Sequence, residues 1–86
     1  MAKIALPKPD FKETKKDRKF VERIIRCGEH FGFNFIDLFF IPSLKLRQAM
    51  IARDLEEIYA VARKMSEGEK VWEWVKANRP RYMPKQ

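Results

Sequence analysis

Residues 43–65 read SLKLRQAMIARDLEEIYAVARKM. Within this stretch Leu44, Gln48, Ile51, Leu55, Ile58, Ala62 and Met65 step by four and three in alternation, a two-position heptad seam whose apolarity only Gln48 interrupts. Ser43 stands where an N-cap belongs, and Pro42 closes whatever precedes it. A long amphipathic helix with one buried stripe needs partners, so the neighbouring text decides the fold.

Upstream, Phe20, Val21, Ile24 and Ile25 have helical spacing, Asp10 is placed to cap and Gly28 to terminate, so the text predicts a helix over about residues 11–27. Between them, GEHFGFNFIDLFFIP (residues 28–42) offers Asn34 as a cap for a short apolar helical turn over 35–40. A β-strand is the rival reading, because short apolar runs cannot be typed by periodicity. Downstream, Ser66-Glu67-Gly68-Glu69 has the form of a capping box opening a further helix that carries Val71, Trp72, Trp74 and Val75 and stops before Pro80. The predicted architecture is all-α, a small three- to four-helix antiparallel bundle over residues 10–79. Residues 1–9, with Pro7 and Pro9, read as an extended arm, and residues 80–86 as an extended basic tail.

The chain has 86 residues, 45% of them hydrophobic, with seven Phe and two Trp, enough apolar surface for one core without staples. A single cysteine, Cys27, rules out an internal disulfide and cysteine-cluster zinc sites, which fits a reducing compartment. The longest apolar candidate, Phe35 to Ile41, is interrupted by Asp37 and falls well short of the roughly 18 residues that cross a bilayer. Residues 1–9 lack the apolar segment of a secretion signal, so the expected location is the cytoplasm.

Enzymatic chemistry finds few candidates. With one His, one Cys and two Ser, the chain is short of nucleophiles and bases, and its three glycines are too scattered for a phosphate loop. Cys27 and His30 share a helix face, but a metal would need further ligands such as Glu29 or Asp37, so no metal or cofactor is expected. Asp54, Glu56 and Glu57 lie off the seam among Arg53, Arg63 and Lys64 and read as a solvated face, and Glu67 and Glu69 as charges favourable to a helix start.

Charge is the informative signal. There are 19 Lys and Arg against 12 Asp and Glu, a net +7. Residues 1–27 hold nine basic and four acidic residues, +5 of that total. At about 100° per residue, Lys12, Lys15, Lys16, Lys19, Arg23 and Arg26 fall within a stripe roughly 100° wide, opposite Val21, Ile24 and Ile25. No acidic residue enters it. A face that only solubilises mixes signs, whereas phosphate backbones reward an unmixed row of cations through counterion release. The sequence therefore points to a non-enzymatic module that binds nucleic acid or a nucleoprotein assembly with low sequence specificity. Trp72, taken as the exposed member of the Trp72/Trp74 pair, with Arg79, Arg81 and Tyr82 in the tail, would add partner contacts. The competing expectation is a protein–protein adaptor or inhibitor, acting on an acidic protein partner or as a homodimer through its aromatic and heptad surfaces. A helix-turn-helix fits poorly, since the turn before the long helix contains Pro42 and no glycine, and the rest of that helix is charge-balanced.

Overall fold

A computed structural model describes residues 9–83, so the N-terminal arm up to Lys8 and the tail residues 84–86 lie outside the described residues. The described chain is all-helical: α1 (Lys15–His30), a short 3₁₀ helix (Ile36–Phe40), α2 (Leu44–Lys64) and α3 (Gly68–Asn78). Among the described residues there are three α-helices, the 3₁₀ turn standing where the sequence left helix and strand open. Helix α2 is central, with α1, the 3₁₀ turn and α3 all packed against it. The core is Phe20, Val21, Ile24 and Ile25 of α1, Phe35, Leu38 and Ile41 of the connection, and Ile51 and Ile58 of α2.

Helix α1 begins later than the sequence suggested. Thr14 is the cap, its Oγ1 accepting from Asp17 N at 3.1 Å while Asp17 Oδ2 accepts from Thr14 N at 3.2 Å. Asp10 does other work: its Oδ1 accepts from Leu44 N at 2.8 Å and its own N donates to Pro42 O at 2.7 Å. The helix also runs past Gly28. The left-handed residue that ends it is Gly32 (φ 88°), where Phe33 N donates to Gly28 O and Gly32 N to Glu29 O in a Schellman arrangement. Gly28 is buried instead for close packing, since a Cβ there would lie 2.5 Å from the Phe35 ring.

Helix α2 starts as expected, with Ser43 Oγ accepting from Leu46 N. Its seam is only partly the buried face. Ile51, Ile58 and Ala62 are buried, but Met65 is 54% exposed, while Arg47 and Asp54, both off the seam, are 2% and 1% exposed. A helix surrounded by three elements is buried over more than one stripe, and a two-position seam describes a single neighbour. Arg47 Nη1 lies 2.8 Å from Glu13 Oε1, a charge contact whose alignment falls short of a hydrogen bond, and its guanidinium sits 5.2 Å above the Phe11 ring. Asp54 is thus not part of a solvated acidic face: burial pushes its carboxyl above the usual range, opposed by Arg53, whose Nε and Nη2 both reach Asp54 Oδ1.

The capping box expected at Ser66 does not form. Ser66 is itself left-handed (φ 62°) and completes the end of α2, where Glu67 N donates to Ala62 O at 3.1 Å. Helix α3 begins with no side-chain cap. Its buried residue Val75 faces the core, and Trp74 stacks on Phe20 with centroids 5.2 Å apart. Beyond α3, Pro80 is buried and residues 80–83 turn back over the bundle. Arg81 Nη2 donates to Lys12 O at 2.8 Å, and Gln48 Nε2 donates to Tyr82 O.

Candidate nucleic-acid interface

Lys15, Lys16, Lys19, Arg23 and Arg26 project from α1 as exposed side chains, opposite the buried Asp17, Phe20, Val21, Ile24, Ile25 and Gly28. Among the described residues, none of the five forms an ion pair with a carboxylate; the α1 pair that does form, Arg18–Glu22 at 3.4 Å, lies on the flank. Lys12 is exposed too but precedes the helix, because Thr14 sets the start, so it is not on the helical stripe that the sequence assigned it to.

This face borders a furrow between α1 and α3. At one end, Lys16, Lys19 and Arg23 stand opposite Trp74 and Asn78 around a cavity of about 270 Å³. At the other, Arg23, Arg26 and His30 stand opposite Glu67, Lys70 and Val71 around one of about 350 Å³. Arg23 borders both, and the pairing of residues shows that α1 and α3 run in opposite senses along the furrow. Over Trp74 the Arg23 guanidinium lies 5.8 Å from the ring centroid, a cation–π contact. His30 Nε2 is 3.4 Å from Glu67 Oε2, and its ring meets Phe31 edge-on at 4.8 Å. Cys27 also lines the furrow; burial pushes its thiol up, with Arg23 opposing, which leaves it a poor nucleophile at neutral pH.

The remaining sequence-chosen residues lie elsewhere. Trp72 faces Tyr59 of α2 at 5.7 Å, with Lys76 over its ring, and shares an apolar cavity with Arg79, Leu55 and Met83 away from the furrow. Arg81 stands at the N-terminal end of α1, beside Lys12 and 3.6 Å from Asp17 Oδ2. Tyr82 is half-buried against Phe11 and Gln48. Conversely, Lys70, Trp74 and His30, which line the furrow, were assigned no interface role from the sequence. His30 was findable, since at about 100° per residue it falls on the basic stripe. Which tryptophan lines the furrow depends on how α3 docks, which no local pattern records.

Among the described residues no cluster of His, Cys, Asp and Glu is arranged to hold a metal ion, and no helix is long and apolar enough to cross a membrane. No protein family, curated protein or solved structure matches the chain.

Proposed function

We propose that this protein is a non-enzymatic helical module that holds the phosphate backbone of a nucleic acid, free or within a nucleoprotein assembly, against the exposed face of α1. The observation that carries the reading is the row Lys15, Lys16, Lys19, Arg23 and Arg26, exposed together without a carboxylate partner among the described residues. Side chains of this kind position a polyanion and read little sequence, since they reach phosphate rather than base edges. A cytoplasmic setting is part of the proposal, resting on the single unpaired Cys27.

Five phosphate contacts predict an affinity that falls with salt at a log–log slope of about −4. The triple variant Lys16→Glu, Lys19→Glu, Arg26→Glu abolishes binding while leaving the melting temperature at or above that of the parent, because among the described residues these side chains make no hydrogen bond, ion pair or ring contact. Binding that ignores salt overturns the reading. Capture from lysate of a partner that survives nuclease treatment favours the protein–protein adaptor in its place.

A further inference from the structure

Resting on the basic-face reading, we propose further that the furrow between α1 and α3 is a channel for a single nucleic-acid strand, with Trp74 and Arg23 as its base-stacking platform. The furrow has a cationic wall on α1 and, from the other side, Lys70 on α3. Its lining carboxylate, Glu67, is turned onto His30. Aromatic surface stands at both ends: Trp74, backed by Phe20, at one, and Phe31 with the His30 ring at the other.

A cationic track that carries π-surface suits single strands, because each base has a face to stack while its phosphate meets the wall, whatever the sequence. The planar Arg23 guanidinium over Trp74 extends the platform, either offering its own face to a base or swinging aside to bare the indole. A duplex keeps its bases stacked on one another, so its backbone meets the α1 cations without offering Trp74 a base face. From Lys16 to His30 the α1 wall runs about 21 Å at roughly 1.5 Å per residue. That length takes about six stacked nucleotides at roughly 3.4 Å each.

The test titrates the intact protein at low salt with oligothymidylate and oligouridylate of about 12 nucleotides, and with a duplex of the same length. Single strands quench tryptophan emission and bind about tenfold or more tighter than the duplex; the quench disappears in Trp74→Phe, which keeps a ring on Phe20. Lys70→Glu, at an exposed position, weakens the single strands more than the duplex. Preference for either sugar over the other supports the proposal equally. Equal affinity for the duplex, with emission unmoved and Lys70→Glu without effect, overturns the single-strand channel and leaves the basic-face reading standing. Failure of every probe to bind at low salt removes both.

Discussion

Asp10 Oδ1 accepts a hydrogen bond from Leu44 N at 2.8 Å, across 34 positions of sequence. A first-turn amide of α2 is therefore satisfied by a residue that precedes α1, while Ser43 satisfies Leu46 N. Asp10→Ala removes one such acceptor and should cost about 1 kcal/mol, seen as a lower urea midpoint with an unchanged slope.

Gly28 tests close packing against helix propensity. In a helix interior Ala is favoured over Gly by about 1 kcal/mol. Here the added Cβ would fall 2.5 Å from the Phe35 ring, and the ring is held by its stack on Phe33. Gly28→Ala should therefore destabilise by about 1–3 kcal/mol, and the loss should shrink in a Phe35→Leu background, a non-additivity that a double-mutant cycle measures.

Ser66 holds a left-handed backbone at the end of α2, the position where Gly32 ends α1. The steric cost of that conformation for a residue with a Cβ exceeds the entropy Gly adds to the unfolded chain. Ser66→Gly should raise stability by about 0.5–1 kcal/mol in thermal or urea unfolding, and Ser66→Val should lower it.

Tyr82 sets a pH dependence. Burial pushes its phenol up to about 12, with Arg47 the largest opposing influence. In the unfolded chain the phenol ionises near its ordinary value of about 10, so its contribution to stability is complete below pH 10 and is lost as the pH climbs to about 12. Its hydroxyl is also buried without a hydrogen-bond partner among the described residues. Tyr82→Phe should thus be neutral or stabilising by up to about 1 kcal/mol at pH 7. It should also flatten the loss between pH 10 and 12, measured as the difference between the two proteins so that lysine titration cancels.

What the sequence disclosed was what depends on near neighbours. The Phe20-Val21-Ile24-Ile25 face, the Ser43 cap and the outward basic stripe from Lys15 to Arg26 all follow from helical period and adjacent residues, and they stand as read, with Lys12 alone falling before the helix. What it withheld was decided at a distance. Asp10 was a fair cap for the helix next to it until Leu44 proved the better partner. Asp54 read as part of a solvated face, and Arg47 lies off the heptad seam, because nothing local shows that α2 is covered on several sides. Ser66 fits a capping box, but the end of α2 claims its backbone first. The furrow was invisible for the same reason, since Lys70 and Trp74 acquire meaning only once α3 lies beside α1.

Head and tail of the described chain are clasped to the same stretch of α2, Asp10 on Leu44 and Tyr82 on Gln48, and to each other through Arg81 and Lys12. Helix ends ordinarily fray independently and exchange their amide protons early. In this molecule neither end can peel away without giving up a bond to the start of α2 or to the other end, so the Leu44 amide should trade its proton for deuterium more slowly than the uncapped first-turn amides of α3.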